Sequence, residues 1–350
     1  MTEQERNDVI EAVRARLTDD QTGNMLMIQA ESRRYEQEDP QTAKALLELA
    51  MSLLSEEQEA YLKETMYIGE RRLDQVYGEA AGLMQKRENA KALTLTRQLY
   101  EHILVHFRET AERRFFSFRN LLESNLYHQL YHPTKELMKT PFDFTRFIGA
   151  HAYNLVELSR TEEAIPVLET AIRYNPVNPD PRFELAEVYK LLGNHEKLRE
   201  TVLETHPICT TRYALGRCYA NMAFYCTEIM EYEDAVAFYY VSLLFADHPA
   251  IPGELQHLSH LMGRRIMPPT REQARAVLEK YHMIEGPGRE VLYTATELSN
   301  QAIEAKQWKE ATYYMQVISD LTNDPKAAET LKMCAAELRK MFPDAPISTS

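Results

Sequence analysis

Two pairs of histidines have a spacing that could bind a metal ion. His102 and His106 are four residues apart in EHILVH, and His128 and His132 are four apart in HQLYH. Residues at this spacing share one face of a helix, so both imidazoles of a pair could reach the same ion. A zinc site needs further ligands, and the sequence does not identify them. The alternative is that these histidines hydrogen-bond to neighbours on aromatic-rich helix faces, and we predict no metal and no cofactor.

A second chemically distinctive segment places arginines among phenylalanines, in RRFFSFR. Arginine beside aromatic residues can bind acidic partners, stacked bases or a protein surface. Phe115, Phe118 and Leu122 are three to four residues apart, however, and would equally form the core stripe of a helix. The arginines that we take as a secondary candidate surface are Arg113, Arg114 and Arg119.

The remaining patterns give no support to an enzyme. Paired carboxylates such as Glu162 and Glu163 lie at predicted helix starts, where they stabilise the helix dipole. Gly286 and Gly288 form a close glycine pair without the preceding strand or third glycine of a nucleotide site. No HExxH, GxSxG or phosphate-binding loop occurs in the sequence. We therefore predict a protein that is not an enzyme.

The composition indicates an acidic helical protein. The chain has 53 acidic and 40 basic residues, a formal net charge of −13, and only 11 glycines in 350 residues. So few glycines are unusual for strands joined by tight turns, whereas the many Ala, Leu, Glu, Gln, Lys and Arg residues favour helix. Because phosphate contacts need a basic surface, nucleic acid is not an expected partner.

Targeting signals and membrane spans are not expected. The start MTEQERNDV has neither the basic nor the apolar region of a signal peptide. The longest near-apolar run, Ala235 to Ala246, has twelve residues, too few to cross a bilayer. The four cysteines show no CxxC pairing and fit reduced core thiols. We predict a cytoplasmic protein with no membrane partner.

A small or apolar residue recurs through a series of amphipathic segments. The intervals are 34, 37, 39 and 37 residues, and the members are Ala164, Leu198, Ala235, Ala274 and Ala311. Most are preceded by a segment whose small residue would let two helices approach; these residues are Ala152, Ala186, Ala223 and Ser299. The pattern predicts a series of helix pairs.

These pairs resemble tetratricopeptide repeats (TPR), which are antiparallel helix pairs of about 34 residues stacked into a right-handed superhelix. The best match runs from Thr145 to Pro176, and the next unit departs at Leu198, where the family has a small residue. The resemblance implies an all-α fold: a right-handed superhelical α-solenoid of antiparallel helix pairs, preceded by a helical N-terminal region.

In this family the first helix of each pair lines a concave groove that binds peptides. On that register, the binding candidates are Tyr153, Phe183, Glu187, Lys190, Phe224 and Asn300. Their mixture of aromatic, charged and amide groups suits a protein segment. The TPR variant that holds a C-terminal carboxylate uses a lysine and asparagines where this chain has Gly149 and Tyr153, so a chaperone tail is not expected. Any of the aromatic residues could instead pack against a neighbouring repeat.

The resulting domain prediction has four parts. They are a divergent helical region at 1–140, about five TPR-like pairs at 141–325, a capping helix at 326–342 and a flexible tail at 343–350. Helices are predicted at 3–17, 41–54, 56–86, 88–109 and 111–131. Ala92 lies 72 residues before Ala164, about two repeat lengths, so the first part is either degenerate repeats or a separate bundle.

The sequence thus predicts a non-catalytic protein-interaction scaffold that binds a protein or peptide. One alternative is a cytoplasmic regulator in which a TPR sensor binds a signalling peptide through asparagines, of which Asn300 and Asn221 are available. Another is a metal-dependent enzyme that uses one of the histidine pairs. Self-association through a solenoid edge is a further possibility, since 20 tyrosines are present.

Overall fold

The computed structural model describes residues 1–35 and 38–341. The predicted tail at 343–350 and the last residue of the predicted capping helix lie outside these residues. The chain divides into two compact units, Met1–Gln75 and Val76–Ser350. The boundary lies within a helix and does not coincide with the division near residue 140 that the repeat pattern suggested.

The first unit is a small helical cluster. Its elements are α1 (Glu3–Arg14), α2 (Gln21–Tyr35), α3 (Pro40–Ser52), α4 (Glu56–Met66), β1 (Tyr67–Ile68) and β2 (Arg71–Arg72). The first three helices bury a common core that includes Val13, Ile28 and Leu46. A Ser55–Gln58 capping box begins α4.

In this region one helix was not predicted and one prediction was wrong. Helix α2 was not predicted because polar residues alternate with Met25, Met27 and Ile28 without a clear helical period. The predicted helix 56–86 is interrupted by the antiparallel pair β1–β2. Gly69 in the turn between these strands has a φ of 63°, a conformation that a helix does not contain.

The second unit is mostly helical. Its elements are α5 (Leu73–Gln85), which contains the boundary, α6 (Asn89–His106), β3 (Arg113–Phe116), α7 (Leu121–Tyr131), β4 (Glu136–Lys139), α8 (Phe144–Glu157), α9 (Thr161–Tyr174), α10 (Pro179–Leu191), α11 (His195–Thr205), a 3₁₀ helix (His206–Ile208), α12 (Arg212–Glu228), α13 (Tyr232–Leu243), α14 (Ile251–Leu261), α15 (Arg271–Lys280), α16 (Arg289–Glu304), α17 (Trp308–Thr322) and α18 (Pro325–Met341).

The central part of this unit is a stack of helix pairs. Helix α6 packs on α8, and each successive pair of helices from α8 to α13 packs together. The small residues that defined the repeat are buried where paired helices meet; these are Ala152, Ala164, Ala186, Ala223 and Ala235. The all-α class and the solenoid of helix pairs are confirmed, because neighbouring pairs bury one another's apolar faces.

Two further helices precede this stack. Helices α5 and α6 are joined by a short turn in which Arg87 has a φ of 58°. Ala80 and Ala92 are fully buried and twelve residues apart, the same interval that separates Ala152 from Ala164. This interval favours degenerate repeats upstream of residue 140, which stays a prediction.

Between α6 and α8 the chain forms a βαβ unit, which we define as residues 107–143. Strands β3 and β4 pair in parallel, and α7 connects them. The predicted helix 111–131 was therefore wrong over its first half, and Phe115 lies on a strand rather than in a helical stripe. Helix α7 begins only after Asn120, whose side chain accepts a hydrogen bond from the amide of Glu123.

The last helices pack differently from the central stack. Helix α15 packs on α13, where Lys280 and Tyr281 both donate to the buried carboxylate of Asp234, at 2.6 and 2.9 Å. Helix α16 packs on α7 and on the 3₁₀ helix. Helix α17 then packs on α16, and α18 packs on α17. Ahead of α16, the amide of Gly286 donates to the hydroxyl of Tyr219 on α12 at 2.9 Å.

Candidate functional site

Helices α10 and α12 present side chains that interact with one another across the predicted groove. We define this α10–α12 face by Phe183, Glu184, Glu187 and Lys190 on α10 and by Arg217, Asn221 and Phe224 on α12. The Lys190 ammonium donates to Glu187 Oε1 at 3.0 Å and to Asn221 Oδ1 at 2.7 Å. The Arg217 guanidinium lies 3.4 Å from Glu184 Oε1 and 3.7 Å from Glu187 Oε1.

Each helix also places a cation over an aromatic ring of the other. Lys190 Nζ on α10 lies 5.0 Å from the ring centroid of Phe224 on α12. Arg217 Cζ on α12 lies 4.6 Å from the ring centroid of Phe183 on α10. Cation–ring attraction at these distances is worth about 0.5–1 kcal/mol at an exposed site and more when it is desolvated. The two stacks therefore fix the rotamers of four side chains on this face.

Asn221 is the most buried polar residue of the face, with 2% of its surface exposed. Its Oδ1 accepts from Lys190, but its Nδ2 has no hydrogen-bond partner within residues 1–35 and 38–341. A buried donor without an acceptor costs about 1–3 kcal/mol. The Nδ2 group of Asn221 is thus an unsatisfied donor buried beneath the α10–α12 face.

The structure brings four of the six predicted groove residues together, namely Phe183, Glu187, Lys190 and Phe224. Phe183 is only 3% exposed and is covered by Arg217, so its ring packs inside the array, as the alternative interpretation allowed. Tyr153 is 44% exposed on α8, and Asn300 is exposed on α16. Within the described residues, no hydrogen bond, ion pair or ring contact joins either of these two to the α10–α12 face.

Sequence reasoning missed Arg217 and included Asn221 only in an alternative. Together with Phe224 they occupy positions i, i+4 and i+7 of α12, which is one helix face. Phe183, Glu187 and Lys190 have the same spacing on α10. Extending the stripe backwards from Phe224 would have found both residues.

The three arginines of the secondary candidate surface all pair with carboxylates of their own chain. Arg113 on β3 binds Glu136 on β4 at 3.0 Å. Arg114 lies 3.6 Å from Glu109, 3.4 Å from the hydroxyl of Tyr127 and over the ring of Phe116. Arg119 binds Glu123 at 2.6 Å and Asp180 at 3.0 Å. These pairs hold the βαβ unit together and fasten it to the start of α10.

The histidines have several different environments. The rings of His102 and His106 lie 4.3 Å apart between centroids, and His132 ends α7 with a φ of 44°. The described residues contain no group of three or more His, Cys, Asp or Glu side chains placed to hold a metal ion. Burial lowers the pKa of both His151 and His206 to about 4, so these two imidazoles are neutral at pH 7.

Comparisons with known proteins add little to this geometry. No family model and no curated protein matches the chain. Among solved structures, the chain is similar to a crystal structure of the APC/C hetero-tetramer Cut9–Hcn1, with 12% identity and a TM-score of 0.31. The match covers 99% of this chain, which spans 65% of the length of that one. Because so distant a likeness carries no functional argument, the fold class rests on the helix contacts described above.

Within the described part of the chain, every helix is too short or too polar to cross a lipid bilayer.

Proposed function

We propose that this protein is a non-catalytic, cytoplasmic interaction scaffold and that its α10–α12 face binds a segment of a partner protein. The observation that carries the proposal is the pair of reciprocal cation–ring stacks, which hold Lys190 and Arg217 in place beside the half-buried ring of Phe224. Ordering these long side chains before binding lowers the entropic cost of binding.

The chemistry of the face suits a polypeptide better than a small charged ligand. Two cations, Lys190 and Arg217, are balanced by the carboxylates of Glu184 and Glu187, so the face has little net charge. The half-buried ring of Phe224 offers an apolar contact beside these paired charges. An apolar side chain of a partner segment would complement the ring.

Site-specific photo-crosslinking in cell extract tests the proposal. We expect a crosslinker at Phe224 to capture a defined protein, and the substitution Lys190→Ala to reduce this capture about fivefold, because loss of the stack and its hydrogen bonds frees the ring. Tyr240 is the matched control, since it is an equally half-buried aromatic residue on α13, outside the face. Equal capture from Phe224 and Tyr240 would rule out this face as the binding site.

A second candidate function is a regulator that responds to a short peptide, and the unpartnered amide of Asn221 favours it. Such proteins read a peptide backbone through side-chain amides, and here only one asparagine belongs to the face. Mass spectrometry of the captured ligand separates the two functions. A scaffold yields a protein, whereas a peptide-responsive regulator yields a short peptide whose binding is lost in Asn221→Leu.

A further inference from the structure

The βαβ unit (residues 107–143) contains a sheet of only two strands. Arg113 pairs with Glu136 and Phe116 with Lys139 in a parallel register. Helix α7 covers one face of this sheet, since Tyr127 lies 4.6 Å from Phe116 between ring centroids. A two-stranded sheet has two edges, and the use of each edge can be read from the backbone hydrogen bonds.

The outer edge of β4 is open. The amide of Glu136 donates to the carbonyl of Glu112, and that of Thr140 donates to Phe116, both at 2.9 Å. Because alternate residues of a strand point to opposite sides, Met138 also faces β3, whereas Leu137 and Lys139 direct their N–H and C=O groups away from it. No backbone hydrogen bond from these outward groups to another element occurs within the described residues.

The outer edge of β3 is bonded at its two ends. The carbonyl of Arg113 accepts from the amide of Thr110 at 2.9 Å, and the amide of Ser117 just beyond the strand donates to the carbonyl of Tyr174 at 2.8 Å. The outer edge of β4 has no such bond at Leu137 or Lys139 within the described residues.

A cleft of about 340 Å³ runs beside the open edge, between β4 and α7. Its apolar lining includes Phe118 and Leu121 on the side of α7 and Leu137 and Met138 on β4. Leu121 is 60% exposed at the mouth of this cleft, so its side chain is accessible to a docked segment. The volume is sufficient for one or two apolar side chains of an added strand.

The charges around this cleft have one sign. Its lining includes Arg119 and Lys139 but no Asp or Glu, in a chain with 53 acidic and 40 basic residues. Arg119 is already paired with two carboxylates, whereas Lys139 is exposed and has no ion-pair partner within the described residues. The electrostatic complement of this rim is a carboxylate.

We propose that an extended, acidic segment of another polypeptide adds to β4 as a third strand. Its backbone would bond to the outward groups of Leu137 and Lys139, an apolar side chain would enter the cleft, and a carboxylate two residues away, on the same face of the added strand, would pair with Lys139. Backbone bonds supply affinity in this mode and alternate side chains supply specificity. The site is separate from the α10–α12 face and does not depend on the function proposed for it.

The opposing explanation is that Lys139 protects a short edge strand from aggregation, which is a common use of lysine. The cleft distinguishes the two ideas, because protection needs the charge but needs no apolar groove beside it. A direct binding experiment decides between them.

The experiment uses four fluorescein-labelled seven-residue probes that place Glu or Asp two residues from one apolar residue, which is Val, Ile, Leu or Phe, so that both lie on the same face of the added strand. Fluorescence polarisation against the full chain should show saturable binding of at least one probe. A counterpart with Lys in place of the acids should bind at least about tenfold more weakly, because it meets Lys139 with like charge. N-methylation of the backbone amides that face β4 should abolish binding, whereas methylation of the alternate amides should not.

Hydrogen exchange locates the probe. Binding should slow exchange at the amides of Leu137 and Lys139 and leave Met138 unchanged, since that amide already donates to β3. The substitution Lys139→Glu should weaken the acidic probe about tenfold, and Lys332→Glu on the exposed side of α18 is the matched control.

Three outcomes would overturn the proposal: none of the four probes binds, a bound probe leaves exchange at Leu137 and Lys139 unchanged, or N-methylation has no effect. Sedimentation tests the remaining occupant, a second copy of this chain. A dimer that Lys139→Glu alters would show that β4 pairs with itself and would also overturn the proposal.

Discussion

The contact between the start of α16 and the 3₁₀ helix can be tested with a single methyl group. A Cβ atom on Gly288 would lie 2.5 Å from the carbonyl oxygen of Pro207 and 3.2 Å from its C and Cα atoms. All three atoms belong to the backbone, so no side chain can rotate to make room. The φ of Gly288 is −59°, which alanine adopts readily, and the cost therefore comes from the contact alone.

We expect Gly288→Ala to lower the free energy of unfolding of the second unit by about 1–3 kcal/mol, the usual cost of forcing extra volume into a packed contact. Urea denaturation measures the change, and hydrogen exchange should show faster opening of α16. Because α16 also packs on α7, exchange in α7 should rise as well.

Gly253 provides the matched control. It lies in the first turn of α14, and a Cβ atom there would meet nothing within 4 Å. Gly253→Ala should be neutral or stabilise by up to about 1 kcal/mol, because alanine has the higher helix propensity. If Gly288→Ala were as stable as Gly253→Ala and exchange in α16 were unchanged, the docking of α16 on the 3₁₀ helix would be refuted.

Three further predictions concern buried charge and metal. Burial lowers the pKa of His206 to about 4 from an ordinary value of 6.5, so between these pH values the unfolded chain binds a proton that the folded chain does not. The free energy of unfolding, measured by urea titration, should therefore be full above pH 6.5 and fall toward pH 4. The substitution His206→Gln should flatten this decline. Asp234→Ala should destabilise by about 1–3 kcal/mol in the same assay, because it leaves the buried hydroxyl of Tyr281 without its acceptor, whereas an unchanged stability would show that α15 docks without this hydrogen bond. Elemental analysis of the purified protein should find less than one equivalent of zinc, iron or manganese, and an equivalent that disappears in His102→Ala would restore the metal hypothesis.

The central stack could be predicted from sequence because its signal is local and repeated. Ala152 and Ala164 are twelve residues apart, and the same interval recurs from Ala186 to Leu198 and from Ala223 to Ala235. Each interval brings a small residue of one helix against a small or apolar residue of the next. The same twelve-residue interval separates Ala80 from Ala92, and a search for small residues at this interval would have found it.

The βαβ unit could not be predicted in the same way. The residues RRFF fit a helix face as well as a four-residue strand, and the strand that decides between them is 23 residues later, at Glu136 to Lys139.

The α10–α12 face was predicted only in part, for a related reason. The spacing of Phe183, Glu187 and Lys190 indicates a shared helix face, but the stacking of Arg217 on Phe183 depends on how two helices meet.

The direct packing of α6 on α8 has a consequence for how this protein could be modified. The end of one helix and the start of the other belong to neighbouring layers, although residues 107–143 separate them in the chain. That interval is an insertion between two helices that pack directly on one another. Its α7 is also the surface on which α16 packs, so a change in the insertion would reach the C-terminal helices although it lies far from them in the chain.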